Sequence, residues 1–262
     1  MKILFLGDIV AKPGRETVKK ILPEIIKKHK PDFIFANAEN LSHGNGFTPE
    51  TITEMQKAGV DFFTSGDHAW GNKMGMLEIA SEDFPVIRPA NFPPEVPGTG
   101  YFVVKGKNGH KVLVINLIGR VFMKKNYDCP FRMVDKILKQ TEKEKFDAIF
   151  VDIHAEATSE KYAMGFYLDG RVSAVIGTHT HVPTADERIL DKGTAFMSDV
   201  GMTGSLDSVI GVRKDLIITS FLTQMPVKHE PEFGGKMVFN ACLINVVSKN
   251  KSSQIARIQK II

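Results

Sequence analysis

The 262-residue sequence contains only two cysteines, Cys129 and Cys242. Two thiols cannot build a disulfide framework, nor a cysteine-rich zinc or iron–sulfur site. Extremes of composition are also missing, since 43% of the residues are hydrophobic and 24% are charged. These proportions match ordinary globular domains and exclude a disordered, collagen-like or coiled-coil chain.

Long apolar runs are absent too, so we expect no membrane span. The apolar run at residues 3–6 is shorter than the core of a signal peptide, and we therefore expect a cytoplasmic protein. Neither a P-loop nor a Rossmann glycine fingerprint occurs, so neither nucleotide-binding fold has support from a motif. The net charge of +4 does not indicate a nucleic-acid binder, although it tolerates anionic substrates.

A repeated local pattern is present instead, in which short apolar segments end abruptly in polar residues and helical patterns often follow. Five of these segments end in Gly7-Asp8, Asn37-Ala-Glu39-Asn40, Gly66-Asp67-His68, Asp152-Ile-His154 and Gly177-Thr-His179-Thr-His181. Near-continuous apolar strands that alternate with helices predict an α/β protein whose sheet is covered on both faces. Sheets of this kind bind ligands at the carboxyl ends of their strands. No linker or repeat is visible, so residues 1–262 are predicted to form one domain.

Several individual elements can be predicted from their end signals. Apolar spacing predicts a helix around Leu22, which Pro23 should kink or divide into two. Thr48 is the expected cap of the next helix, with Pro49 in its first turn and Gly59 at its end. Further helices are predicted at residues 130–145 and 159–168, and further strands at 100–104, 111–116, 184–190, 194–198, 215–222 and 236–247, with a hairpin turn at 191–193. The last two strands have no helix between them, which predicts a second, mixed or antiparallel sheet stacked on the first.

Seven side chains that can bind metals follow the predicted strands, and they should converge on one edge of the sheet. They are Asp8, Glu39, Asp67, His68, His154, His179 and His181. Imidazole and carboxylate together suit Zn, Fe, Mn, Co or Ni. The set is larger than one ion needs, which indicates two ions sharing a bridging carboxylate. Two such ions activate a bridging hydroxide and clamp a phosphoryl group.

Each of these residues also has a purely structural explanation. An Asp placed like Asp8 often caps a helix, and a single His placed like His154 often forms a loop hydrogen bond. The His179-Thr-His181 pair is more specific, because alternate residues at a strand end can serve two adjacent ions. Chance does not readily place all seven at one edge, which favours a metal centre. The other four histidines, His29, His43, His110 and His229, occur in polar or turn contexts and are interpreted as surface residues.

The ordered motifs resemble those of calcineurin-like metallophosphoesterases, and more closely those of the YmdB-like bacterial phosphodiesterase family. The resemblance rests on Gly7-Asp8-Ile-Val, Asn37-Ala-Glu39-Asn40, Gly66-Asp67-His68, Arg88-Pro-Ala-Asn91, His154-Ala-Glu-Ala-Thr-Ser-Glu-Lys161, Gly177-Thr-His-Thr-His181 and Asp199-Val-Gly-Met-Thr-Gly204. It implies a metallophosphoesterase sandwich, in which two stacked mixed β-sheets are flanked by α-helices. It also implies a homo-oligomer and a phosphodiester substrate, with 2′,3′-cyclic nucleotides prominent and RNA ends as an alternative.

The resemblance further implies a role for each site residue. Asp8, Asn40 and His181 would hold one ion, Asp67, His154 and His179 would hold the second, and Glu39 would bridge them. His68 would act as general acid, a role that its ordinary pKa of about 6.5 suits. The ions would be iron, with manganese or zinc as alternatives, because this donor set accepts all three.

One position departs from the family pattern, which has Gly-Asn-His where this chain has Gly66-Asp67-His68. The Asp67 carboxylate still offers an oxygen ligand but adds a negative charge. We therefore expect tighter metal binding with weaker attraction for an anionic substrate, or a preference for a trivalent ion.

Four further residues are candidates for substrate contacts. Arg88 and Asn91 could contact phosphate or nucleoside, or could instead fix a proline-rich loop. Thr158 could face the substrate, although either it or Ser159 could cap the following helix. Thr203 lies in a glycine-containing segment that could approach the site or form a turn.

Three functions remain open at this stage. The first is a dinuclear phosphodiesterase acting on cyclic nucleotides. The second is a phosphomonoesterase or phosphoprotein phosphatase, which would use the same metal clamp. The third is a weakly catalytic regulatory protein that binds nucleotides or proteins. The complete ligand set and His68 argue against the third, and Asp67 leaves room for it.

Overall fold

The computed structural model describes residues 1–81, 83–106 and 108–262. Within these residues the strands and helices alternate along most of the chain. In chain order they are β1 (Lys2–Ile9), α1 (Ala11–His29), β2 (Phe33–Asn37), α2 (Pro49–Ala58), β3 (Phe62–Thr64), α3 (Lys73–Glu78), β4 (Tyr101–Lys105), β5 (Lys111–Ile118), α4 (Pro130–Gln140), β6 (Ala148–His154), α5 (Thr158–Leu168), β7 (Ala174–Thr178), β8 (Arg188–Ile189), β9 (Ala195–Met197), β10 (Met202–Ser205), α6 (Lys214–Thr223), β11 (Met237–Ser248) and β12 (Lys251–Ile261).

The strands form two six-stranded sheets, ordered β12-β11-β10-β1-β2-β3 and β4-β5-β6-β7-β9-β8. Both sheets are mixed. β1 runs parallel to β2 and β10 but antiparallel to β11, and β6 lies between parallel β5 and β7 while β4 and β8 run antiparallel at the edges. The prediction of two stacked mixed sheets flanked by helices is therefore confirmed.

Apolar side chains from alternate positions of each strand hold the layers together. Phe5 and Phe35 of the first sheet face Phe150 of the second, with ring centroids 4.9 and 5.7 Å apart. Residues Leu4 and Leu6 point the other way, into a core with helices α1 and α2. Helices α4 and α5 cover the outer face of the second sheet in the same way. Burial on both faces explains why the strands are near-continuous apolar runs.

The helix end signals at α2 are confirmed. The Thr48 hydroxyl accepts a hydrogen bond from the Thr51 amide, Pro49 begins the helix, and Gly59 ends it in the left-handed conformation with φ 113°. The hairpin turn between β8 and β9 is also confirmed, because the Leu190 amide donates to the Thr194 carbonyl at 2.9 Å.

Other predictions at this level are wrong. Pro23 does not divide α1 into two helices, because α1 runs as one helix of 19 residues, and the alternative of a kink stays a prediction. Pro23 is exposed, while Leu22 and Ile25 on either side of it are buried against the first sheet. Burial on both sides of Pro23 favours one continuous helix.

The segment at residues 215–222 forms helix α6 rather than a strand. Its β-branched residues favour a strand locally, but the Thr219 hydroxyl donates to the Asp215 carbonyl and the Thr223 hydroxyl to the Thr219 carbonyl, both across one helical turn. The second sheet consequently consists of β4–β9, whereas the late strand β11 joins β1 in the first sheet. β10 and β12 were not predicted.

The strand predicted at residues 184–190 shortens to β8. Thr184 and Asp186 bind the end of β9 through their side chains, since the Thr184 hydroxyl accepts from the Asp199 amide and the Asp186 carboxylate from the Ser198 amide. These side-chain hydrogen bonds hold residues 184–186 beside β9 without extending β8. In the parts of the chain that the structure describes, no helix has the length and hydropathy to cross a membrane.

We predict that Gly7→Ala destabilises the fold. Gly7 lies in β1 beside Asp8, and a Cβ atom there would overlap the Gly201 carbonyl oxygen, so β1 and the neighbouring backbone would have to move apart. Overpacking of this kind costs about 1–3 kcal/mol in free energy of unfolding, measurable as a lower urea midpoint. Gly234→Ala is the control, because its nearest atom would be 3.4 Å away. Equal midpoints for the two variants would contradict the prediction.

Candidate metal centre

The predicted site residues converge at the carboxyl ends of five strands. Asp8 lies in β1, Glu39 and Asn40 follow β2, and Asp67 and His68 follow β3. His154 is the last residue of β6, and His179 and His181 follow β7. The first sheet therefore supplies the oxygen donors together with His68, and the second sheet supplies the other three imidazoles. The site lies where the two sheets meet.

Four side chains form the tightest group in this cluster. One ligand atom from each of Glu39, Asp67, His154 and His179 lies within 4.8 Å of the others. The Nε2 atom of His154 is 3.0 Å from the Glu39 carboxylate, 3.2 Å from the Asp67 carboxylate and 3.0 Å from Nδ1 of His179. Such a group of two carboxylates and two imidazoles can hold a transition-metal ion.

A second group lies beside the first. Nε2 of His181 is 3.2 Å from the Asn40 amide oxygen and 4.0 Å from Oδ1 of Asp8. Asp8 is fully buried, and its Oδ1 atom makes no hydrogen bond to any residue that the structure describes. A buried carboxylate oxygen without a donor is costly unless a cation faces it. This group therefore fits a second ion.

The outer hydrogen bonds of the imidazoles set their orientation. The Thr178 hydroxyl has one proton, which it donates to Asp152 at 2.8 Å. It therefore accepts a hydrogen bond from Nδ1 of His154, which lies 2.9 Å away. With its proton held on Nδ1, His154 turns the lone pair of Nε2 towards the cluster. Hydrogen bonds of this kind orient histidine ligands in metalloproteins.

The other two histidines follow the same rule. Nε2 of His179 lies 3.1 Å from the Glu156 carboxylate, which leaves the lone pair of Nδ1 facing inwards. Nδ1 of His181 donates to the Ile210 carbonyl at 2.8 Å, which leaves Nε2 facing inwards. Three imidazole lone pairs and three carboxylates thus point at the same region, and a pair of cations satisfies this arrangement.

A buried hydrogen-bond network below the cluster joins the two sheets. Asp152 of the second sheet accepts from the Thr64 hydroxyl at 2.5 Å and from the Asn37 amide at 3.4 Å, both in the first sheet. Burial raises the pKa of Asp152 to about 7. Asn37 also donates to the Ser65 carbonyl and accepts from the Glu39 amide. Only the fold shows that these residues bind one another.

The loop that carries His179 and His181 is strained and tied down. Both residues have positive φ angles, 98° and 65°, which are rare for histidine. Between them, Thr180 donates its amide and hydroxyl protons to the Asp199 carboxylate at 3.1 and 2.8 Å. Lys161, buried in α5, neutralises this carboxylate at 2.6 Å. Lys161 and Asp199 appear in the motifs, but only the fold shows that they support this loop.

The cluster is electrostatically coupled. Burial raises the pKa of Asp8, with partial opposition from His181 and His154. Burial also works to raise the pKa values of Glu39 and Asp67, but the facing histidines outweigh it and hold both well below the usual range. Both carboxylates are therefore ionised and available as ligands at neutral pH.

His68 occupies a different position from the other histidines. Its Nδ1 atom lies 3.1 Å from both the Glu39 carboxylate and the Asn40 amide nitrogen, and its side chain is 36% exposed. The hydrogen bond to Glu39 is the main cause that raises the pKa of His68.

His68 lines two cavities beside the cluster. One, of about 300 Å³, includes Asn40, His43, His181, Val212 and His229; the other, of about 460 Å³, includes Asp67, Phe122, Lys124, Glu156 and His179.

Two of the substrate-contact candidates are engaged in the loops that surround them. The Arg88 guanidinium, 6% exposed, donates to the carbonyls of Pro89, Ala90, Val96 and Pro97. The Asn91 amide, fully buried, binds the Ile118 amide and carbonyl and the Asp128 carbonyl. Both side chains therefore act as loop clamps in this structure.

Neither of the two threonine candidates has its hydroxyl paired with the cluster. The Thr203 hydroxyl is buried and accepts from the Asn240 amide at 3.2 Å. Thr158 is exposed in the first turn of α5. The expectation that it or Ser159 caps this helix is wrong, because Ala157 occupies the cap position without a side-chain hydrogen bond.

Fold and cluster together place the chain among the calcineurin-like metallophosphoesterases. Within that class, the sequence model described as "YmdB-like protein" matches residues 4–258, so the chain belongs to the YmdB-like family. The resemblance seen in the motifs is confirmed.

Three relatives illustrate the similarity. The chain is 44% identical over 253 residues to the 2′,3′-cyclic-nucleotide 2′-phosphodiesterase of Bacillus subtilis (strain 168), covering 97% of this chain and 94% of the relative. A crystal structure of a hypothetical protein from Thermus thermophilus has TM-score 0.91 and 41% identity, covering 100% and 99% of the two chains. A crystal structure described as a novel phosphatase from Mycoplasma pneumoniae has TM-score 0.90 and 32% identity, covering 100% and 93%.

We predict that His154→Ala and His179→Ala each remove bound metal. Each variant deletes an inward-facing nitrogen, so the metal content of protein loaded with Mn²⁺ and then dialysed should fall from about two ions per chain to about one or fewer. His179 is 21% exposed, which makes its variant less damaging to the core than that of the buried His154. Elemental analysis provides the measurement.

The control is His110→Ala, because His110 is 41% exposed and pairs with Asp147 on the surface. It should bind as much metal as the unaltered protein. Full metal content in both His154→Ala and His179→Ala would exclude these residues as ligands.

Proposed function

We propose that the chain is a dinuclear metal-dependent phosphodiesterase that hydrolyses 2′,3′-cyclic nucleotides. The observation that carries the proposal is the pair of adjacent donor groups, with three imidazole lone pairs and three carboxylates facing one region. The same arrangement suits attack on a phosphoryl group. A relative that is 44% identical over nearly the whole chain is named as a 2′,3′-cyclic-nucleotide 2′-phosphodiesterase, which supports the choice of substrate.

The proposed ligand assignment follows the contacts. Asp8, Asn40 and His181 would hold one ion, because their donor atoms lie together and Asp8 has a buried oxygen without a hydrogen bond. Asp67, His154 and His179 would hold the other. The Glu39 carboxylate lies with this second group, and the family resemblance supports its role as the bridge between the two ions. Iron is the proposed metal, with manganese or zinc as alternatives, because the mixed oxygen and nitrogen donor set accepts all three.

When bound, two such ions polarise the phosphoryl oxygens and lower the pKa of bound water. In the proposed reaction one water gives up a proton to solvent and its oxygen forms a bond to phosphorus, while the P–O2′ bond breaks to give a 3′-phosphate. The leaving O2′ needs a proton, because an alkoxide is a poor leaving group. His68 would donate it, since its half-exposed imidazole lines both cavities beside the cluster.

We also propose a cytoplasmic location and a homo-oligomer. A cytoplasmic location is supported by Cys129 and Cys242, which are both free thiols. A homo-oligomer is supported by α6, in which no residue is buried and whose Phe221 and Leu222 are each 80% exposed. An RNA end with a 2′,3′-cyclic phosphate carries the same reacting group and is the alternative substrate.

A phosphomonoesterase is the second candidate. The relative from Mycoplasma pneumoniae is described as a phosphatase, and monoesters use the same kind of metal clamp. Assays on 2′,3′-cyclic AMP, an aryl phosphodiester and the corresponding aryl monoester separate the two activities. Preferential cleavage of the monoester would replace the proposal, and no cleavage after loading with Mn²⁺ or Fe²⁺ would favour a binding protein.

We predict that His68→Ala retains its metal but loses turnover on the two diesters. Removal of a general acid lowers kcat by about 10²–10⁴-fold, while the ligand groups remain in place. Steady-state kinetics and elemental analysis are made on the same metal-loaded samples, with His110→Ala as the active control. Loss of metal from His68→Ala would make His68 a ligand, and unchanged kcat would remove it from the mechanism.

We predict that Asp67→Asn weakens metal binding and strengthens binding of the anionic substrate. The substitution keeps an oxygen donor beside His154 but removes one of the three negative charges of the cluster. The expected results are metal loss at a lower chelator concentration and a lower KM for 2′,3′-cyclic AMP. Asp191→Asn, at an exposed hairpin turn, is the control. Unchanged chelator titration and KM would show that the charge of Asp67 does not tune the site.

A further inference from the structure

We infer that the Phe122 ring is a stacking platform for the nucleobase of the substrate, in the larger of the two cavities beside the cluster. The inference rests on the proposed function and goes further, because it assigns the base to one of the two cavities beside the cluster. It concerns the loop of residues 119–129, between β5 and α4.

Phe122 is unusual in both exposure and backbone conformation. It is 85% exposed, the largest exposed fraction among the large hydrophobic residues in the described part of the chain. Its φ angle of 62° lies in the left-handed region, which a bulky side chain rarely occupies. Exposure of a large apolar ring and a strained backbone are both unfavourable, and neither is explained by packing within the chain.

The loop holds this conformation through buried contacts on both sides. The Glu160 carboxylate, 7% exposed, accepts hydrogen bonds from the Arg120 amide at 2.9 Å and the Val121 amide at 3.2 Å. On the other side, the Asn91 amide group binds the carbonyls of Ile118 and Asp128 at 2.7 and 2.9 Å. The ring is therefore presented to solvent by a fixed loop.

The underside of the loop is also packed. Tyr127 is 7% exposed and meets Phe92 edge-on with ring centroids 5.1 Å apart. Met123 packs against the same small apolar cluster. The Phe122 ring does not join this cluster and stays exposed.

The position of Phe122 identifies its ligand. The ring lines the 460 Å³ cavity together with Asp67, His68 and His179 of the metal centre. A substrate whose phosphorus lies at the cluster and whose leaving oxygen faces His68 must place the rest of the molecule in one of the two cavities. A nucleobase offers a flat face to such a ring, and stacking of this kind tolerates every base.

One cationic side chain, Lys124, lines this cavity together with the carboxylates of Asp67 and Glu156. Lys124 is two residues from Phe122 in the loop. A flexible ammonium group suits a phosphate as a point charge. The smaller cavity has mainly aliphatic and histidine lining, with Val212 and His229 among its residues, and it is the rival location for the base.

The test compares a substrate that has a base with one that lacks it. KM and kcat are measured with 2′,3′-cyclic AMP and with glycerol 1,2-cyclic phosphate, which carries the same reacting ring without a base. For Phe122→Ala we expect KM for 2′,3′-cyclic AMP to rise about 5- to 100-fold, while KM for glycerol 1,2-cyclic phosphate stays within about twofold. Phe122→Trp should keep the low KM, because its ring also stacks.

The matched control is Phe166→Ala, since Phe166 is a 57% exposed ring on α5 that lines neither cavity beside the cluster. It should leave KM for both substrates unchanged. Equal loss on both substrates in Phe122→Ala would assign the loop a structural role and overturn the inference. A selective rise in KM for 2′,3′-cyclic AMP in His229→Ala, with none in Phe122→Ala, would place the base in the rival cavity.

A binding measurement separates this inference from the proposed function. Calorimetric titration of metal-loaded protein uses adenosine 3′-monophosphate and inorganic phosphate as probes. Weaker binding of adenosine 3′-monophosphate in Phe122→Ala, with unchanged binding of phosphate, supports the platform even if no diester is cleaved. Cleavage by the unaltered protein combined with no effect of Phe122→Ala on KM or on this binding would retain the function and reject the platform.

Discussion

The candidate metal centre depends on how the two sheets meet at their carboxyl ends. The first sheet brings the carboxylates and the Asn40 amide, and the second brings His154, His179 and His181. Neither sheet holds a complete ligand set for either proposed ion. A shift of one residue, about 3.3 Å along a strand, would separate donor atoms that now lie within 4.8 Å. The Asp152 network and the contact of Phe5 with Phe150 hold the sheets in this register.

The same convergence creates an electrostatic problem that a cation solves. Buried carboxylates close to one another are unfavourable without compensating positive charge. Burial alone lowers the pKa of His154, but the Glu39 and Asp67 carboxylates outweigh it and raise that pKa well above its usual value. Protons and metal ions therefore compete for the same imidazole lone pair, as in other metal sites.

The sequence predicted the convergence of these side chains better than it predicted several of the elements around them. All seven strand-end residues came together because the carboxyl ends of buried strands share an edge, and this rule needs only local patterns. Helix α6 was mistaken for a strand because its β-branched residues favour one, while its threonine hydroxyls bond to carbonyls one turn earlier. β12 was not predicted, because much of this strand is exposed and lacks a continuous apolar pattern.

The residues that support the site could not be assigned from the sequence, because their roles consist of contacts between distant segments. Lys161 and Asp199 lie 38 positions apart in the sequence. The fold brings them into an ion pair that supports the strained His179–His181 loop. Asn91 appeared as a candidate for substrate contact, yet every hydrogen bond of its side chain goes to backbone at the ends of the Phe122 loop. A polar residue in a motif can serve the ligand directly or hold the segment that does, and only the fold distinguishes the two.

The loop that carries Phe122 is tied to the strand that carries a metal ligand. The Gly119 amide donates to the carbonyl of His154 at 2.9 Å, and Glu160, whose carboxylate holds the next two amides of the loop, follows His154 by six residues. A side chain at Gly119 would collide with Ala155 and with that carboxylate, each 2.5 Å from its Cβ, so the close approach requires glycine. These hydrogen bonds around Gly119 thus set the position of the exposed Phe122 ring relative to the cluster. A loop anchored in this way combines the exposure that substrate binding needs with the fixed geometry of the sheet.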